Sequence, residues 1–116
     1  MWRTVLEILK DKKAKQIIVL DLREISLITD FMIICSGTSN VHIKSIYQGL
    51  IEEMKKRNNR IYGNEGLKTN KWVLVDLGEV IVHIMNDELR QFYGLERLWS
   101  NAKIIYPMEA INLTIA

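Results

Sequence analysis

The stretch Trp72-Val-Leu-Val-Asp-Leu-Gly-Glu-Val-Ile-Val-His-Ile-Met85 constrains this chain more than any other. Apolar residues fill both sides of Gly78-Glu79, interrupted only by Asp76 and His83, which reads as two strands joined by a tight turn. A two-residue loop at Gly78-Glu79 pairs Leu77 with Val80, Asp76 with Ile81, Leu74 with His83 and Trp72 with Met85. Successive side chains of a strand point to opposite faces. One face therefore carries Val73, Val75, Leu77, Val80, Val82 and Ile84, is purely aliphatic, and must be core. The other carries Trp72, Leu74, Asp76, Ile81, His83 and Met85. This mixed face is either covered by a helix, with Trp72 as a lid, or open to a partner.

The rest of the chain supplies what such a hairpin needs. Trp2, Val5, Leu6 and Leu9 recur at helical spacing and predict a first helix ending near the lysines at 10–15. Residues 16–21 and 31–36 each hold four or more consecutive apolar side chains and read as buried strands. Ser36-Gly-Thr-Ser-Asn40 is a turn built of helix N-cap residues. The following helix has Ile43, Ile46, Tyr47, Leu50, Ile51 and Met54 inward and ends near 55–59. Residues 60–63 predict a short third strand and 64–70 a loop. After the hairpin, Asn86 or Asp87 caps a helix carrying Leu89, Phe92 and Tyr93, which Gly94 interrupts before a turn or two at 95–99. Beyond Ser100 the pattern weakens. The expected fold is α/β (α+β): a single domain with a mixed sheet of about five strands and flanking helices. Residues 1–106 form the domain and 107–116 a tail, in which Ile111, Leu113 and Ile115, with Ile104 and Ile105 before them, are apolar enough to cover a sheet edge or support dimerisation.

Several chemistries can be weighed from residue types. The chain has 116 residues with a formal net charge of +2, so no overall field draws it to nucleic acid, though Lys10, Lys12, Lys13 and Lys15 cluster, as do Lys55, Lys56, Arg57 and Arg60. The one cysteine, Cys35, lies in an apolar run and reads as a buried small hydrophobe. Neither it nor His42 and His83 has metal-ligand spacing, so no metal or cofactor is expected. The Ser36–Asn40 turn lacks the glycine and lysine pattern of a phosphate loop. Phosphoryl transfer on divalent metal needs paired carboxylates on a strand, yet Leu74 stands two before Asp76 and Val19 two before Asp21. Ser36, His83 and Asp76 lack a nucleophile elbow. No catalytic residue is expected, and the protein reads as a non-enzyme. Neither a signal peptide, a transit sequence nor a membrane-spanning run is evident, so the expected compartment is the cytoplasm.

Five ordered motifs then point to a family. They are Ile28-Thr-Asp-Phe-Met-Ile-Ile-Cys-Ser-Gly-Thr-Ser39, His42, Gly66, the stretch from Trp72 to Met85, and Tyr93-Gly-Leu-Glu-Arg-Leu-Trp99. With them the chain, from about Leu6 to Trp99, resembles the ribosomal silencing factor family, the Iojap-like proteins called RsfS in bacteria. The resemblance implies a translational repressor that binds the large ribosomal subunit through its protein fourteen (uL-fourteen). It blocks small-subunit joining sterically and lowers translation in starvation. Organelle relatives assist large-subunit assembly, which supplies an alternative role. A small metal- or nucleotide-dependent phosphate-ester enzyme using Ser36–Asn40 is a further alternative.

The resemblance also implies a fold like a nucleotidyl-transferase core without its catalytic acids, a homodimer when free, and no membrane partner; the lysine clusters allow a peripheral rRNA contact. The expected partner-binding residues are Trp72 as aromatic anchor, Leu74, Asp76 paired with a basic group, Ile81, His83 and Met85, extended by Leu89 and Trp99. His83 is expected to orient Asp76, to bond across the interface, or to be a hydrogen-bonded residue of the sheet with no partner role. Asp21, Thr29 and Asp30 are expected to cap the connection between the first two strands.

Overall fold

In the computed structural model, which describes residues 1–107, the chain forms four helices and a mixed six-stranded sheet. The helices are α1 (Trp2–Asp11), α2 (Asn40–Lys56), α3 (Asp87–Tyr93) and α4 (Leu95–Leu98). The strands are β1 (Lys15–Asp21), β2 (Phe31–Ser36), β3 (Gly63–Glu65), β4 (Trp72–Asp76), β5 (Val80–Met85) and β6 (Lys103–Tyr106). Their order across the sheet is β3-β4-β5-β2-β1-β6, and only β2 and β5 run parallel.

The two faces of the sheet follow the alternation along β2, whose six residues are all buried. Ile33 and Cys35 belong to a large cluster under α1 and α2, with Val5, Leu9, Ile43, Ile46, Leu50 and Met54. Met32 and Ile34 turn the other way into a smaller cluster with Leu20, Leu22, Met85 and Leu95. Each fully buried Leu or Ile contributes roughly 2 kcal/mol. The exposed Lys56 pairs with Glu52 and Glu53 on α2 add at most a few tenths each. Burial therefore holds the helices on the sheet. Cys35 is fully buried, and desolvation pushes its thiol pKa up to about 12.

Local signals place the connections. Ser39 caps α2 by accepting from the His42 backbone N–H at 3.0 Å. His42 Nδ1 accepts from the Thr38 backbone N–H at 2.9 Å, and Nε2 lies 3.0 Å from the Lys12 carbonyl. That carbonyl accepts only from a protonated Nε2, so His42 ties the start of α2 to the end of α1. Thr29, 6% exposed, donates from Oγ1 toward the carbonyls of Phe31 and Gly78, and Asp21 accepts from the backbone and side chain of Arg23. The Arg23 guanidinium lowers the Asp21 carboxyl pKa. Both residues do cap the β1–β2 connection, while Asp30 takes part through its backbone.

Three expectations need correction. The sheet has six strands, because 103–106 pairs with β1, where no regular element was expected. The third strand lies at 63–65, displaced from 60–63 toward what was expected to be a loop; its ladder with β4 pairs Gly63, Asn64 and Glu65, and Tyr62 adds one backbone bond to the Asp76 carbonyl at 2.8 Å. β1 is not buried throughout: Lys15 and Gln16 are exposed where its pairing with β2 shifts register. Apart from Pro107, the expected tail at 107–116, with Ile111, Leu113 and Ile115, lies outside the described residues.

Candidate functional site

The β4–β5 hairpin has the expected register throughout, with Trp72 opposite Met85, Leu74 opposite His83 and Asp76 opposite Ile81. Leu77 N–H donates to the Val80 carbonyl at 2.9 Å and closes the two-residue loop. Gly78 at φ +87° takes the conformation that a side chain would resist. Asp76 Oδ1 accepts from the Gly78 N–H at 2.8 Å, so this carboxylate also fixes the turn.

The mixed face is covered over one half and open over the other. α3 and α4 fold back over its Trp72–Met85 end. Met85 is 0% exposed there and presents nothing to a partner, contrary to its expected role. Trp72, Leu89 and Trp99 are half-buried around the same cluster. Leu74, Asp76 and Ile81 remain half-exposed at the other end. Among the described residues Asp76 has no ion-pair partner, and its Oδ2 accepts no hydrogen bond.

Trp72 is held by its neighbours. Its indole N–H donates to His83 Nδ1 at 2.9 Å, a diagonal cross-strand contact within reach of an aromatic side chain. The acceptor role requires Nδ1 to be unprotonated, which leaves the ring proton of neutral His83 on Nε2. Burial pushes the His83 pKa down to about 4, so the ring is uncharged at neutral pH. His83 therefore supports Trp72 and does not orient Asp76. On the other side Tyr93 packs against Trp72 with ring centroids 5.0 Å apart, and Phe92 meets Tyr93 edge-on. Phe92 and Leu98 are 76% and 70% exposed, so the aromatic strip continues from Trp72 out to solvent.

The helix that carries this strip is pinned by a residue the sequence pattern did not reveal. Arg90 is 7% exposed, donates from Nε to Glu96 at 2.6 Å and from Nη1 to Ser36 Oγ at 2.9 Å. Asn86 caps α3 by accepting from Leu89 N–H at 2.8 Å, and Gly94 turns the chain into α4 at φ +56°. A buried charge is tolerable only when paired. The Arg90 bridge thus fastens α3 and α4 to the end of β2, and with them Tyr93 over Trp72.

Catalytic geometry does not assemble from the residues weighed for it. Ser36 is bonded by Arg90, His83 by Trp72 and Asp76 by Gly78 N–H, each to a different partner. Among the described residues no three His, Cys, Asp or Glu side chains group as metal ligands. No described helix is long and apolar enough to cross a membrane. What the site offers chemically is a half-open apolar surface with an immobilised aromatic at one end and a carboxylate at the other.

Comparison with known proteins agrees on one family. The model of the RsfS family, ribosomal silencing factor during starvation, matches residues 1–114. The chain is 44% identical over 96 residues to ribosomal silencing factor RsfS of Haemophilus influenzae, covering 83% of this chain and 94% of that one. It is 30% identical to mitochondrial assembly of ribosomal large subunit protein 1 of mouse, covering 83% of this chain and 43% of that one. A crystal structure of a Chromobacterium violaceum protein superposes with a TM-score of 0.82 at 36% identity, covering 84% of this chain and 82% of the other.

Proposed function

The chain belongs to the ribosomal silencing factor (RsfS) family, and from that premise we propose that it represses translation in the cytoplasm by docking on protein fourteen of the large subunit. The bound protein stands where the small subunit must approach, and joining is blocked. The observation that carries this reading is the mixed β4–β5 face, where Trp72 is half-buried at the margin of the covered end and Leu74, Asp76 and Ile81 are half-exposed at the other. Trp72 has its only polar atom satisfied by His83, so its exposed ring edge is a rigid apolar anchor. Rigid aromatic anchors of this kind dominate interface energies. Asp76, at the other end of the same face about 13 Å along β4, has no cation among the described residues and pairs with a basic group of the partner. Leu74 and Ile81 supply the apolar contact between them. Met85 and His83 act from beneath, and Leu89 and Trp99 support the rim. In the absence of subunits the same apolar face pairs two copies of the chain.

Co-sedimentation with purified large subunits tests this. The wild-type chain pellets with them, and a folded Trp72→Ala, Asp76→Ala double variant stays in the supernatant. Pelleting of both proteins alike moves the docking surface elsewhere. The mouse relative, named for assembly of the large subunit, favours a second reading in which the same face serves biogenesis. Accumulation of precursor large subunits when the chain is absent, with joining unaffected by its addition, would select that role.

A further inference from the structure

The junction between α1 and β1 holds a second surface that the docking face does not use. Lys10, Lys13 and Lys15 line a concavity of about 480 Å³ together with Gln16 and Tyr106, and among the described residues no carboxylate lines it. Lys10 Nζ sits 4.9 Å from the centre of the Tyr106 ring; its one ionic partner among the described residues is the exposed Glu7, at 3.7 Å. Lys13 and Lys15 are exposed and have no ion-pair partner among the described residues.

The backbone here is held in a conformation that lysine and glutamine do not favour. Lys13 has φ +63° just past the end of α1, and Gln16 has φ +48° where β1 shifts register against β2. Glycine or asparagine is the usual occupant of such a helix end. A larger L-residue there costs roughly 1 kcal/mol. Two such residues in four positions project consecutive cationic and polar side chains outward, and strain of this kind clusters where a surface is used.

The position of the concavity says what it meets. Lys15 pairs with Ser36, Ser36 with Met85, and Met85 with Trp72, so Lys15 and Trp72 lie in one row across β1, β2, β5 and β4. Three strand spacings separate them by about 14 Å. Ala14, Ile17 and Tyr106 of the concavity pack with the α1-side cluster and Trp72 with the opposite one, so the concavity opens at the β1 edge that β6 leaves uncovered at Lys15–Ile17, where Lys15 reaches whatever flanks a protein seated on Trp72. Lysine ammoniums are point-charge phosphate binders, and the Tyr106 ring offers a stacking edge.

We propose that the Lys10–Lys13–Lys15 concavity is an RNA-phosphate contact that supplies the salt-dependent part of binding to the large subunit. The proposal rests on the docking reading for its setting but on different residues. The test uses a Lys13→Gln, Lys15→Gln double variant, which leaves Lys10 on Tyr106. Its affinity for large subunits, and for a short labelled RNA duplex, is measured by anisotropy between about 50 and 300 mM salt. Loss of two phosphate contacts makes the log–log salt dependence on subunits shallower by about 1.5, and duplex binding falls with it. Trp72→Ala weakens subunit binding with the slope unchanged. An unchanged slope for the lysine variant overturns the proposal. A shallower slope on subunits with equal duplex binding overturns it in favour of an acidic protein contact. If the wild-type chain fails to bind subunits, the docking reading falls, and lysine-dependent duplex binding alone sustains or overturns the RNA surface.

Discussion

Acid should weaken this fold through His83 by an amount that can be separated from everything else that titrates. The ring is 6% exposed and its pKa falls from the ordinary 6.5 to about 4, with desolvation as the cause. That difference is worth about 3 kcal/mol of stability. The folded-state value is the lower one, so as pH falls the unfolded chain takes up the proton first. The stabilisation is complete above the ordinary histidine pKa and is lost through the window between the two values. By about pH 5 roughly 2 kcal/mol has gone. A His83→Gln variant keeps an oxygen that can accept from the Trp72 indole N–H, yet has no proton to take up. Urea unfolding followed by circular dichroism, at about pH 7.5 and about pH 5, gives the loss for each protein. All other groups are the same in the two proteins, so the difference between their losses isolates His83. The wild type should lose about 2 kcal/mol more than the variant. Equal losses would refute the claim that a neutral, buried imidazole supports the docking aromatic.

Two further substitutions probe what holds the site in place. Arg90→Met leaves the Ser36 hydroxyl, 1% exposed, and the partly solvated Glu96 carboxylate without their partner, and should lower stability by about 3 kcal/mol in urea unfolding. A loss below about 1 kcal/mol would mean the bridge behaves as a surface pair. Gly66→Ala should cost at least about 2 kcal/mol in the same assay, because φ is +89° and the new Cβ would collide with the Trp72 carbonyl oxygen. A neutral effect there would contradict the close approach of the 66–72 loop to β4.

The hairpin was legible in the sequence because every level agreed. The aliphatic and mixed faces alternate without a break, and Gly78 stands at the turn, so only one register buries the aliphatic set. The helical stripes of α1 and α2 were legible for the same reason. The diagonal Trp72–His83 bond was not, since alternation gives a face but not which neighbours on it bond. Half of the mixed face proved to be covered, and Met85 with it, because α3 and α4 fold back on a buried arginine. Composition assigns arginine to the surface, and the Ser36 partner of Arg90 lies 54 residues away. β6 is four residues whose strand character comes from pairing with the distant β1, which no local period records. β3 carries Gly63, Asn64 and Glu65, poor strand formers that are ordered by pairing with β4 and by the Asn64 side chain donating to Tyr47 of α2 at 3.1 Å.

The most direct test of the central claim is subunit joining itself. Large subunits are preincubated with the chain, small subunits are added, and joined ribosomes are followed by light scattering. The wild-type chain should suppress joining in proportion to its occupancy, and the folded Trp72→Ala, Asp76→Ala variant should leave joining at the level seen without any added protein. Suppression of equal strength by both proteins would contradict docking through the mixed β4–β5 face.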